Sequence, residues 1–175
     1  MFSKIMYANI LIVLLYQLRF LLFLHNTKKS EYYKMIITYA AYAFAFYLVG
    51  ASAGLMLYTI AASNIIMQLF KINRNIILKL SFTILCMYLY WCSKDYTFIN
   101  NIPYIVLVSQ MWIKPFTKGI KKEYITKLEK VLIIIYAYNY KLYAIAFIET
   151  YHLVFEIISK YFKKYISFIE KRIEP

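Results

Sequence analysis

The sequence predicts an all-α protein, a polytopic membrane helix bundle with about seven transmembrane helices. Between Lys34 and Lys71, 36 consecutive residues carry no charged side chain. As a single helix this stretch would be about 54 Å long, against a hydrocarbon core of about 30 Å. It must therefore cross twice and fold back near residues 50–54. The composition agrees, because 63% of the 175 residues are hydrophobic and 20% are aromatic.

Seven apolar segments have about the length of a membrane span. In chain order they are residues 5–25, 35–49, 51–70, 76–92, 98–113, 125–140 and 142–162. The first is long for a signal-peptide core and lacks a small-residue cleavage site after it, so we expect an uncleaved span. The sixth is the weakest, because its start must hold Lys127 and Lys130. These side chains can snorkel to lipid headgroups.

The distribution of basic residues supports this order of spans. With the N-terminus outside and the C-terminus inside, 16 Lys and Arg residues fall on the inner side. Only Lys4, Lys94 and Lys141 fall on the outer side. The positive-inside rule expects this imbalance, and it predicts a multi-pass membrane protein in this orientation. It also accounts for the net charge of +13 without a nucleic-acid partner.

A weak internal repeat predicts how the spans are grouped. A shift of 92 residues aligns Ile65-Ile66 with Ile157-Ile158. We therefore expect a single domain with a 3+1+3 arrangement: three-helix halves at residues 5–70 and 98–162, joined by a connector at 76–92. Because the connector adds a span, the two halves should be parallel in the membrane. The remaining tail, from residue 163 to 175, has apolar residues at helical spacing. It is either an amphipathic cytoplasmic helix or a continuation of the last span.

Ionisable residues inside the predicted spans are the strongest functional candidates, since each costs roughly 2.5–3.5 kcal/mol to insert. The seventh span holds Glu149, His152 and Glu156, whose spacing places them along one helical stripe. Two buried carboxyls with a histidine between them are typical of a proton relay or a substrate contact. The same residues could instead hydrogen-bond neighbouring helices, and the sequence leaves both readings open.

Three amides extend this set of candidates. Asn64 and Gln68 lie one turn apart in the third span, and Asn139 ends the sixth. Such side chains either join helices across a bundle or line a solute path.

The sequence gives no support for catalysis. It has no Ser or Cys beside a suitable base, no Gly-rich phosphate loop and no metal-ligand spacing. Cys86 and Cys92 lie in one apolar segment and are interpreted as small hydrophobes. We therefore expect no enzymatic activity, no cofactor and no metal.

Five short stretches carry a resemblance to a known family. They are AFYLVGASAGLM at 45–56, AASNII at 61–66, IPYIV at 102–106, IYAYN at 135–139 and FIE at 147–149. Together they resemble the YgjV-like bacterial inner-membrane proteins. That resemblance implies a fold akin to the SWEET and PQ-loop transporters, and hence a carrier of small solutes. Two departures stand out: Tyr104 follows Pro103 where a PQ-loop protein has Gln, and Ser63-Asn64 stand where the family tends to place Arg.

Two functions follow from these observations. The first is a carrier for a small, sugar-like or metabolite-like solute, with proton-relay residues in its last helix. The second is a scaffold or accessory subunit that transports nothing. The expected partners are the lipid bilayer and, for a carrier, a small-molecule solute, and the sequence leaves a homo-oligomer open.

Overall fold

The computed structural model describes the backbone of residues 2–21, 28–70, 81, 84–85, 87–88 and 97–173. Within these residues the fold is all-helical, without strands, as the sequence predicts. Its six longer helices are α1 (Phe2–Leu21), α2 (Lys28–Leu48), α3 (Ser52–Leu69), α4 (Phe98–Val108), α5 (Gly119–Asn139) and α6 (Tyr143–Ile173).

These helices follow six of the predicted spans in order, with different ends. Helix α2 begins seven residues earlier than its predicted span, and α5 begins six residues earlier. Helix α6 continues without a break to Ile173, so the tail continues the last predicted span. The predicted fourth span, with Cys86 and Cys92, lies largely outside the described residues.

The count of seven membrane spans is not confirmed. Among the described residues, one helix, Ser52–Leu69, is both long and apolar enough to cross a bilayer, and only 28% of it is buried. A shorter apolar stretch, Ser3–Leu18, lies within α1. The other helices miss this criterion because α2 and α5 begin with clustered charges and because α4 has only 11 residues.

Helix α4 changes its hydrogen-bonding pattern along its length. Pro103 lies inside it, on the buried face, and removes one backbone donor. The chain then continues as a π-helix at Ser109–Ile113 and a 3₁₀ turn at Lys114–Phe116. π-helical turns are rare and frequently occur at functional sites. The predicted fifth span, residues 98–113, is therefore helical throughout, in two successive forms, and the 3₁₀ turn follows its end.

The helices pack as two connected groups. Helix α2 contacts both α1 and α3, and α5 contacts both α4 and α6. Two further contacts join these groups: α3 packs on α4, and α1 packs on α6. The first helix of each group thus lies against the third helix of the other.

The turns after α2 and α5 share one conformation. Gly50 (φ +78°) and Lys141 (φ +59°) both adopt the left-handed conformation that ends many helices. Ala51 N donates to Phe46 O at 2.9 Å, and Leu142 N donates to Ala137 O at the same distance. Three further backbone bonds match in the same way, and each pair of equivalent residues is 91 positions apart. The matching distance is one residue shorter than the shift inferred from the sequence.

A close contact at Gly54 joins α2, α3 and α5. The Gly54 amide donates to the Tyr136 hydroxyl at 3.0 Å, which satisfies a backbone donor in the first turn of α3. A Cβ atom at this position would lie 2.6 Å from the Phe46 ring and 2.7 Å from the Tyr136 ring. Both rings are fully buried. Only glycine lets them approach the backbone of α3 this closely.

The outer faces of the helices expose large apolar side chains. Phe147 is 74% exposed, Tyr47 is 63% exposed and Phe155 is 60% exposed. Apolar surfaces of this kind usually mark contact with a partner or a membrane.

Substituting Gly54→Ala should destabilise the fold by about 1–3 kcal/mol, the usual effect of overpacking a filled core. The added methyl would force the Phe46 and Tyr136 rings apart. Thermal unfolding of the detergent-purified chain measures the effect. Ser52→Ala, an exposed change at the start of the same helix, is the matched control. Equal melting temperatures for the two variants would contradict the packing described here.

Candidate functional site

Glu149 lies next to a buried cluster of aromatic rings. It is half-buried on α6, and its carboxylate interacts electrostatically with Tyr58 of α3. Tyr58 is only 4% exposed, and its hydroxyl makes no hydrogen bond within the described residues. Its ring stacks on Phe46 with centroids 5.7 Å apart, and it meets Tyr42 edge-on at 5.0 Å. A carboxylate on one helix group therefore lies within electrostatic range of a buried phenol on the other.

His152 lies one turn farther along α6 and contacts a different helix. Its Nε2 is 3.1 Å from the Tyr16 hydroxyl of α1, and the two rings meet edge-on. Which group donates depends on the histidine tautomer. This contact joins α6 to α1, and histidine is the side chain whose charge is most easily switched near neutral pH.

Glu156 belongs to a set of ion pairs between α5 and α6. Its carboxylate accepts from Lys130 Nζ at 2.5 Å. Two turns before Lys130 on α5, Glu123 accepts from Lys160 at 2.6 Å and from Lys127 at 2.6 Å. His152 and Glu156 thus contact two different helices, through Tyr16 on α1 and Lys130 on α5, and Glu149 lies within electrostatic range of Tyr58 on α3.

The candidate amides do not join this group. Asn64 and Gln68 are half-buried on α3, away from the three candidate residues on α6. Asn139 is exposed at the end of α5, where it lines a surface pocket together with Lys141.

Asn9, which is not among the residues predicted from the sequence, links α1 to the start of α6. Its Nδ2 donates to Lys141 O at 3.0 Å, and its Oδ1 accepts from Ala144 N at 2.8 Å. The side chain therefore caps a helix 135 residues away in sequence. An asparagine inside an apolar segment was the available signal.

Glu129 is also absent from the residues predicted from the sequence, and it is only 5% exposed. Its carboxylate accepts from Ser109 Oγ at 2.7 Å and from Lys114 Nζ at 3.1 Å. It borders an apolar cavity of about 600 Å³ between α4 and α5. The available signal was spacing, because Glu129, Ile133 and Tyr136 form one stripe of α5 and all three are buried.

The hydrogen bond from Lys127, followed by that from Lys160, lowers the pKa of Glu123 from its usual 4.5 to about 2. Glu123 lies before the predicted sixth span.

Comparisons with family models, curated proteins and solved structures find no match for this chain. The resemblance to the YgjV-like proteins therefore stays a prediction.

Substituting Asn9→Ala should lower the stability by about 1–2 kcal/mol, since it removes a helix cap and an interhelical bond. Thermal unfolding in detergent measures this loss. Ser3→Ala, an exposed change on the same helix, serves as the control. An Asn9→Ala variant as stable as the control would mean that this contact does not hold α1 against α6.

The ion pairs of Glu123 should make stability depend on pH in a defined window. Because the folded-state pKa is lowered, the stabilisation is complete above about pH 4.5 and disappears as the pH falls towards 2. The difference in melting temperature between wild type and Glu123→Gln should shrink over this window. Lys118→Gln, which removes an exposed charge outside these pairs, should show a constant difference. A wild-type advantage that is undiminished at pH 2 would contradict the assignment.

Proposed function

We propose that this chain is an integral membrane protein that carries a small solute between two three-helix halves, α1–α3 and α4–α6. The uncharged stretch between Lys34 and Lys71 supports a membrane setting. So do the exposed apolar side chains on the outer helix faces, because lipid is the solvent in which such surfaces are stable.

The matching turns support two equivalent halves. Equivalent residues of the turns are 91 positions apart. In this match α1 corresponds to α4 and α3 corresponds to α6, so the contact of α1 with α6 is equivalent to the contact of α4 with α3. Asn9 and Asn100 are also 91 positions apart, but these two bonds do not follow the exchange: both reach the second turn, where Asn100 accepts from the Tyr140 hydroxyl at 2.5 Å. Parallel repeats of this kind carry their solute sites at the interface between the halves.

One observation carries the proposal: Tyr58 and Glu149 occupy equivalent positions in the two halves and lie within electrostatic range of each other. Each lies on the third helix of its half, again 91 residues apart. A carboxylate and a phenol at such a position offer a hydrogen-bond acceptor and a donor to a polar solute. Glu149 can also exchange a proton, and His152 lies one turn away on the same helix.

A second function, that of an accessory subunit, is favoured by the contacts of the other candidates. His152, Glu156 and Asn9 all bond neighbouring helices, as residues that only stabilise a bundle do. In that case Glu149 and Tyr58 are also structural, and no solute crosses.

Uptake into proteoliposomes of the purified chain separates the two functions. Glu149→Gln keeps the size and hydrogen-bonding capacity of the side chain but removes its ionisation. We expect it to lower uptake of the transported solute by about 100-fold, the scale on which a positioned proton-transfer group acts. Glu31→Gln, an exposed change at the start of α2, should leave uptake unchanged.

The solute is found with a panel of labelled sugars, amino acids and organic acids. Absence of protein-dependent uptake for the whole panel, or equal uptake by wild type and Glu149→Gln, would refute the carrier. Co-purification of a stable partner together with absence of uptake would favour the accessory subunit.

A further inference from the structure

A surface pocket of about 610 Å³ lies between the two equivalent turns. One wall comes from the turn after α2, with Tyr47 and Gly50, and the other from the turn after α5, with Asn139 and Lys141. Lys4 of α1 completes the rim. The pocket therefore opens where the two helix groups meet.

The polar groups of this pocket are suited to an anion. Lys4 and Lys141 are exposed, and neither has an ion-pair partner among the described residues. None of the residues that line the pocket is acidic. The Asn139 side chain adds an amide donor. Two ammonium groups and an amide without a neighbouring carboxylate match the needs of a phosphate or carboxylate group.

Lys141 occupies a backbone position that disfavours any residue but glycine. In the equivalent turn the left-handed position is held by Gly50, whereas here a lysine adopts φ +59°. A side chain in this conformation costs about 1–2 kcal/mol. Strain of this kind is retained mainly where a side chain is needed for function.

The charge distribution gives an independent reason to single out these lysines. In the orientation proposed above, only Lys4, Lys94 and Lys141 lie on the outer side, against 16 basic residues on the inner side. Two of those three line this one pocket. Basic residues are rare on the outer side of membrane proteins, and two of them at one pocket are explained if the pocket binds an anionic ligand.

We infer that this pocket binds an anionic group, a phosphate or a carboxylate, through Lys4, Lys141 and Asn139. The anion belongs either to a small solute that enters between the halves or to the headgroup of an anionic lipid. The assignment of the pocket to the outer side rests on the proposed function, while the binding itself does not.

The decisive variant is Lys141→Gly, because it removes the ammonium group and relieves the strained turn. The backbone carbonyl that accepts from Asn9 is retained. Binding of inorganic phosphate and of succinate is measured by titration calorimetry on the purified full-length chain, at constant ionic strength in chloride. We expect saturable binding to wild type and an affinity at least about tenfold lower for Lys141→Gly, the equivalent of one charge-assisted hydrogen bond. The variant should unfold at a higher temperature than wild type.

Lys122→Gln, which removes an exposed charge on α5, should bind as wild type does. Nanodiscs of phosphatidylglycerol and of phosphatidylcholine separate the two sources of the anion. Stabilisation by phosphatidylglycerol that is lost in Lys141→Gly assigns the site to a lipid headgroup, and binding of free phosphate or succinate assigns it to a solute.

Wild type that responds to none of these three anions would overturn the inference. So would a Lys141→Gly variant that binds as wild type does. Anion binding without any solute uptake would refute the carrier and keep the site. Uptake of neutral solutes alone, without an anion response, would refute the site and keep the carrier.

Discussion

The contact between Gly54 and Tyr136 is the constraint on which the rest of the bundle depends. It brings the backbone of α3 against a ring of α5, and its hydrogen bond ends inside the core, where water cannot replace it. Tyr58 lies one turn farther along α3, with its ring stacked on Phe46. The position of Tyr58, and with it the approach of Glu149, follows from how closely these helices meet.

The helices themselves could be predicted from apolar runs, and the glycines correctly marked the reversal between α2 and α3. The ends of the helices could not be predicted, because charged residues can lie inside a helix as well as beyond its end. Lys28 begins α2 and Lys130 lies in the middle of α5, because a lysine side chain disturbs no backbone bond of a helix. The repeat was found with an offset one residue too long, because Ile and Phe recur so often that they align by chance.

The candidate site was predictable only in part. Ionisable residues in apolar runs led to Glu149 and its neighbours on α6, but a one-dimensional pattern does not say which helix each one meets. The three residues lie on one stripe of α6, but that stripe meets more than one neighbouring helix. His152 therefore contacts Tyr16 on α1, and Glu156 pairs with Lys130 on α5. Glu129 escaped notice because the lysines around it suggested an exposed helix start, and the pairing that buries it comes from Ser109 and Lys114 on a distant segment.

The π-helical turn at Ser109–Ile113 has a consequence for how the chain can vary. A wide turn holds one residue more than the α-helical turn it replaces, so side chains before and after it are out of register by about 100°. Loss of one residue there would leave a regular helix whose far end is rotated, and Lys114 would no longer reach Glu129. A sequence alignment through this region therefore needs a gap inside a helix, where gaps are normally forbidden.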